Sequence, residues 1–212
     1  RGLGDVYKRQ GASGGFIDRY GYPFCRGRIF DVVEKDCGQY DTVTEVMWVT
    51  GAALFIRLAD YREVGGLDGH FFAHMEEIDL CWRLRSRGKK LVCIPQSVVY
   101  HVGGATLKKE NPRKTFLNFR NNLLMLYKNL PDKELEHVLF IRGILDRVAA
   151  LVFYLKKDRA NARAVMQARR EFEDIRYSFA ASRIENMMKS TDEIIPERTH
   201  FSIVMKLSLI HI

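Results

Sequence analysis

The period of the apolar residues changes near residue 111, and that change limits the folds open to this chain. Before it, apolar residues come in short β-branched or aromatic runs broken by glycine, such as Val43 to Ile56 and Leu91 to Pro95. After it, they recur every three or four residues, first at Phe116, Phe119, Leu123 and Leu126. The rhythm continues at Val138, Ile141, Leu145, Val148 and Val152, and again at Val165, Ala168, Phe172, Ile175 and Phe179. Short apolar runs favour buried strands, whereas spacings of three and four place side chains on one face of a helix. Strands and loops first, helices second, predicts an α/β region followed by a helical C-terminal region.

The expected elements follow from local signals. Val43 to Ile56 reads as one or two buried strands around Thr50-Gly51, and Leu91 to Pro95 and Ser97 to Val102 as short strands. Ala59 to Val64 fits a short helix stopped by Gly65-Gly66, and Glu76 to Arg87 a longer one closed by Gly88. Three more helices are predicted: from Pro112 to the break at Pro131, from Glu134 to Lys157, and from Ala160 to Met188. Gly11 to Tyr40, rich in glycine and aromatics, reads as an ordered loop with short strands. Residues 1–10 and the closing Leu207 to Ile212 do not join naturally to their neighbours and read as adaptor-derived tails.

Charge narrows the partners. Residues 1–104 carry 14 basic and 13 acidic side chains and residues 177–212 four of each, so +7 of the net +8 falls in residues 105–176. Such a segment suits a polyanion: a nucleotide diphosphate, nucleic acid or an anionic membrane surface. No zinc-finger, RNP or helix-turn-helix signature accompanies the charge, so nucleic acid is not an expected partner. No apolar run approaches the ~18 residues of a membrane span, and the chain reads as cytoplasmic, with peripheral contact to the inner face of the membrane open to it. The four cysteines form no CxxC pair and are expected as reduced, mostly buried thiols.

The sharpest chemical feature is Glu76-Glu77-Ile78-Asp79, three carboxylates in four positions beside His74. On a helix Glu76 and Asp79 point to one side, Glu77 is swung away from them, and Asp79 faces Arg83 at i+4. Like charges this close raise the pKa of at least one member toward the range of a general base. The plainer alternative is a solvated first turn favouring acids. Thr50-Gly51-Ala52 at a strand end would let a ligand approach the backbone closely. For Trp48, Phe71, Phe72 and Trp82, core packing competes with a stacking platform. His101, before Gly103-Gly104, reads either as a loop histidine or as a metal ligand.

Four spaced blocks carry a resemblance. They are Trp48-Val49-Thr50-Gly51-Ala52, Val64-Gly65-Gly66-Leu67-Asp68, Phe71 through Arg83 (FFAHMEEIDLCWR) and Val99-Tyr100-His101-Val102-Gly103-Gly104. Together with Asn111 to Leu130 they resemble the second half of the catalytic domain of a family 2 glycosyltransferase, closest to the bacterial rhamnosyltransferase-like enzymes of cell-surface polysaccharide synthesis. The resemblance spans about Gly11 to Leu130. It implies an α/β fold that is the C-terminal half of a GT-A (nucleotide-diphospho-sugar transferase) fold. Residues 11–110 would form the acceptor-side half, residues 111–190 a basic helical region, and residues 1–10 and 191–212 tails.

What the resemblance implies chemically is an inverting transfer from a sugar nucleotide donor to a hydroxyl of a glycan or lipid-linked acceptor. The family's acidic motif falls on Glu76-Glu77; its second position is normally an aspartate acting as base, and here it is Glu77, one methylene longer. Glu77, Glu76 and Asp79 are thus the catalytic candidates. Trp48, Thr50, Gly51, Ala52, Asp68, His74, Arg83 and Arg120 are the substrate-binding candidates, with Arg83 orienting the acids. A divalent metal, Mg or Mn, is expected, with His101 as a conceivable helper. The family's nucleotide-binding first half and its Asp-x-Asp metal motif have no counterpart here, so the main metal ligands would lie in an absent N-terminal half and the fragment alone is expected to be inactive. The competing expectation is a non-catalytic module docking on an anionic membrane or a partner enzyme.

Overall fold

The computed structural model describes residues 13–29, 32–99, 111–191 and 195–204. Short strands come first: β1 (Gly15–Ile17), β2 (Pro23–Cys25), β3 (Arg28–Ile29) and β4 (Val32–Val33) form an antiparallel sheet in that order. β1 pairs with β2 through Phe16 opposite Phe24. Next come β5 (Thr44–Glu45), α1 (Leu58–Glu63), α2 (Glu76–Ser86) and β6 (Val92–Cys93), with β5 and β6 paired antiparallel. Four helices follow: α3 (Pro112–Asn129), α4 (Asp132–Leu155), α5 (Arg159–Ile175) and α6 (Ala180–Lys189). Helix and sheet are both present, in the predicted order.

The strand expectations need correction. Of Val43 to Ile56 only Thr44–Glu45 is strand; Val46, Met47 and Trp48 are buried in extended chain, and Gly51–Ala53 is a 3-10 turn capped by the Thr50 hydroxyl. The apolar run belongs to the core; beyond β5 it meets other segments through the Val46 amide bond to Leu91 and the bridge from Gly15 to Trp48. Gly15 is required there: a β-carbon on it would fall 2.1 Å from the Trp48 ring. Of Leu91 to Pro95, Val92–Cys93 is strand; 97–99 is irregular, and Tyr100 to Val102 lie outside the described residues. The predicted helix from Ala160 to Met188 is broken by a 3-10 turn at Arg176–Phe179.

α3 is the hub. Leu123, Leu124, Met125, Leu126 and Leu130 are wholly buried, and α2, α4, α5 and α6 all pack on this helix. Asn111 starts it, its side chain accepting from the Arg113 amide, with Pro112 in the first turn. The sequence suggests one apolar face, but from Asn121 onward α3 is covered on every side.

α4 departs from expectation in the other direction. Of its predicted core stripe only Val138 is buried, while Val148 and Val152 are 51% and 43% exposed. Its inward face instead carries Arg142 and Asp146. Asp146 accepts from Arg142 (3.3 Å), Arg169 (2.7 Å) and the Tyr22 hydroxyl (3.3 Å). Arg142 also donates to the Tyr20 carbonyl and lies 3.9 Å over the Tyr22 ring. Tertiary partners far along the chain, which periodicity does not register, decide which face turns in. The C-terminal segment returns to the first sheet, where Thr199 donates to the Ile17 carbonyl and Glu197 pairs with Arg85. The four cysteines form no disulfide.

Candidate active site

The acid cluster divides into two environments. α2 begins at Glu76, and its N-cap, Met75, has φ +73° and supplies no side-chain cap. Phe72 (φ +62°) and His74 (φ +69°) also adopt left-handed backbone angles, so three non-glycine residues of one four-residue loop are strained. Such conformations cost on the order of 1–3 kcal/mol each and persist where surrounding structure holds them, often at functional sites.

Here α3 does the holding. The Asn121 amide nitrogen lies 2.8 Å from the carbonyl oxygens of Phe71, Ala73 and His74. Arg120 donates to the His70 carbonyl (3.1 Å), to Glu171 (2.8 Å) and to the Asn121 side-chain oxygen (2.9 Å), which fixes the amide's orientation. Asn122 donates to the Gly21 carbonyl (2.8 Å), joining the same helix to the first sheet. Of these, Asn121, which holds the loop, and Asn122, which joins α3 to the first sheet, are supports that sequence reasoning missed. The adjacent asparagines just before the apolar run Leu123 to Leu126 were the available signal, because helix interiors disfavour them without a partner.

The strained loop delivers Glu76 and Glu77 to the first turn of α2 with one carboxyl oxygen of each buried and, among the described residues, without a hydrogen-bond partner; the His74 Nε2 is in the same condition. Buried polar atoms are normally paired, so three without a partner among the described residues, within four positions, single out this turn as the candidate site. Burial, reinforced by the neighbouring Glu76 charge, raises the Glu77 carboxyl to about 6, although the Glu77 and Ile78 amides favour its ionised form. Burial and the Lys114 charge hold the His74 imidazole below its ordinary value, and Glu76 opposes them. Gly51 sits against Glu77: a β-carbon on it would lie 3.8 Å from the Glu77 Cβ. Thr50, Gly51, Ala52, His74, Glu76 and Glu77 therefore belong to one neighbourhood.

The remaining predicted residues lie elsewhere. Asp79 is wholly buried, held by Arg83 (2.8 Å), Lys128 (3.0 Å) and the Asn129 amide (2.8 Å). Arg83 also donates to the Val64 and Gly66 carbonyls, so it fixes the glycine turn and Asp79, with no contact to Glu76 or Glu77. Asp68 pairs with Lys128 (2.7 Å). Burial pushes the Asp68 carboxyl up, but Lys128 and the His70 contacts outweigh it and bring it to about 2. Trp48 is buried, its indole donating to the Phe16 carbonyl at 3.0 Å. The guanidinium of Arg120 is engaged as described, while Arg113 lies exposed over the Phe72 ring. His101 lies outside the described residues. Among the described residues no three His, Cys, Asp or Glu side chains are grouped to hold a metal ion. The divalent ion expected from the sequence thus has no ligand set there.

The chain is similar in part to known proteins. The chain is 31% identical over 141 residues to a pre-mycofactocin glycosyltransferase of Mycobacterium tuberculosis, covering 61% of this chain and 29% of that protein. It is 33% identical over 69 residues to the rhamnosyltransferase WbbL of Escherichia coli, covering 32% and 25%. It is 38% identical over 56 residues to the N-acetylglucosaminyl-diphospho-decaprenol L-rhamnosyltransferase of M. tuberculosis, covering 26% and 18%. The similarity supports a glycosyltransferase family. The chain spans less than a third of the length of these relatives. No family model and no solved structure matches it.

Proposed function

We propose that this chain carries the acceptor-side part of a GT-A-type, family 2 inverting glycosyltransferase, with Glu77 as general base. The observation that carries the proposal is the Glu77 carboxyl itself: half-buried, with one oxygen enclosed and without a partner among the described residues, raised to about 6, and mounted on a strained loop that α3 clamps. A base works best with a pKa near the operating pH, and burial beside a second carboxylate supplies that shift. The named relatives support sugar transfer as the reaction.

In this reading the acceptor hydroxyl of a glycan or lipid-linked sugar lies against Glu77, which takes its proton as the oxygen attacks the anomeric carbon from the face opposite the leaving nucleotide diphosphate. Gly51, lacking a side chain, leaves room beside the base, and His74 is positioned to accept or donate a hydrogen bond to the sugar. The cations at the start of α3, Arg113 and Lys114, favour a diphosphate nearby. Asp79, Arg83, Asp68 and Lys128 brace the turn behind the base. A divalent metal belongs to the proposal with ligands outside the described residues, and no step here is routed through it.

The test is Glu77→Gln in the full-length protein, beside Glu76→Gln. Transfer from a panel of sugar nucleotides should fall about 10²–10⁴-fold for Glu77→Gln, with donor binding by calorimetry unchanged. Unaltered turnover would remove Glu77 as the base.

A further inference from the structure

α4 buries charge and exposes apolar surface. Its inward face holds Arg142 and Asp146 in the network that reaches Tyr20, Tyr22 and Arg169. Its outward face presents Phe140, Ile144, Val148, Leu151, Val152 and Leu155, each between 43% and 70% exposed. Spacings of four, four, three, one and three put them on one continuous stripe, roughly 22 Å long at the rise of an α-helix. Apolar residues at this spacing normally face a core, and an uncovered stripe of this size marks a surface that something else covers.

The charges around the stripe select the occupant. From Phe140 to Arg170 every exposed charged side chain is a cation: Arg147, Lys156, Lys157, Arg159, Arg163 and Arg170. Arg159, Arg163 and Arg170 line a groove of about 990 Å³ between α4 and α5, together with Leu151, Tyr154, Met166 and the acids Glu171 and Asp174. Glu171 is already paired with Arg120. The stripe and the groove share Leu151. A second copy seated on the stripe would face these six cations with its own, against Asp174 as the exposed carboxylate of the groove. A phosphate surface neutralises them all.

We propose that this face of α4 and α5 rests on an anionic phospholipid bilayer. The stripe lies in the boundary between headgroups and acyl chains, and the arginines and lysines beside it lie on lipid phosphates. The contact is interfacial, since no described helix is long and apolar enough to cross a membrane. It stands whether or not the chain transfers sugar.

The experiment is co-sedimentation of the full chain with vesicles of phosphatidylcholine alone and of phosphatidylcholine with about a third phosphatidylglycerol. The wild type should partition onto the anionic vesicles and not the neutral ones. Arg159→Gln/Arg163→Gln/Arg170→Gln should weaken partitioning on the order of 100-fold. Phe140→Ser/Leu151→Ser/Leu155→Ser should weaken it at least about tenfold. These side chains are exposed, and circular dichroism of each variant checks that the helices remain. No binding to either vesicle overturns the proposal, as does binding that both variants leave intact. A dimer in light scattering that the serine variant dissolves, without vesicle binding, assigns the stripe to a second copy and equally overturns it.

Discussion

Asn121 lies 2.8 Å from the carbonyl oxygen of His74, a residue held at φ +69° two positions before the first acid of α2. One amide on α3 thereby steadies the backbone from which Glu76 and Glu77 emerge. Its oxygen is taken by Arg120, so the nitrogen points toward the loop.

Asn121→Ala should therefore act on both stability and rate. Removing the donor leaves the buried Phe71 carbonyl and its neighbours unsatisfied, and the urea-unfolding free energy should fall by roughly 2–3 kcal/mol. On the proposed function, kcat of the full-length protein should fall while the KM for the donor changes little. A variant whose loss is confined to stability would reduce Asn121 to a structural residue.

Glu77 links the site to pH. Its folded pKa, about 6, lies above the ordinary 4.5, so the group costs stability when ionised. Relative to a neutral side chain, its contribution is fully present below pH 4.5 and is lost as pH rises through about 6. Glu77→Gln should be more stable than wild type by about 1–2 kcal/mol at pH 8, with the gap narrowing toward pH 5, as denaturant titrations would show. Turnover of the full-length protein should rise with pH through an acidic limb near 6. An acidic limb near 4 would mean that the titrating base is a different carboxylate.

The sequence made some of this legible. α2 was readable at both ends: acids in its first turn, and Gly88 at φ +75° just past its last. That acids cluster beside His74 was equally plain. Which acid faces the opening was not, because Asp79 is claimed by Lys128 and Asn129, some fifty residues away. The four-stranded sheet was only loosely foreseen, since strands of two or three residues are too short to show a period. α4 displayed its stripe openly, but the side to be buried was set by Tyr22 and Arg169 on other elements.

Lys128 bridges Asp68 and Asp79 and lies 5.0 Å over the Phe71 ring. Lys128→Met should leave two carboxylates undercompensated, one of them wholly buried, and destabilise the protein by roughly 3–5 kcal/mol at pH 7. Asp68, with its folded pKa of about 2 below the ordinary 3.8, contributes stability above pH 4 that is lost as pH falls through 2. Without Lys128 that reserve is gone, and the acid-unfolding midpoint should move to higher pH. The double variant Asp79→Asn/Lys128→Met should cost less than the two single losses added together, which a thermodynamic cycle would measure.

Gly21 has φ +80°, and a β-carbon on it would fall 2.1 Å from Leu126 Cδ2. Gly21→Ala combines backbone strain with a clash against the most buried stretch of α3. Thermal unfolding should report a loss of at least about 2 kcal/mol. A neutral result would mean that α3 and the first sheet are less closely joined than the Asn122 to Gly21 bond implies.

α3 also sets how this architecture can be recombined. A chimera that joined the strand-rich part to the helices of another protein near residue 111 would separate the strained loop from the amide that props it. It would also strip Asp79 of two of its partners. The smallest graft that keeps the acid pair in place runs from Gly51 to Asn129, and a foreign helix spliced in after it must still bring an acceptor for Arg120 where Glu171 now stands.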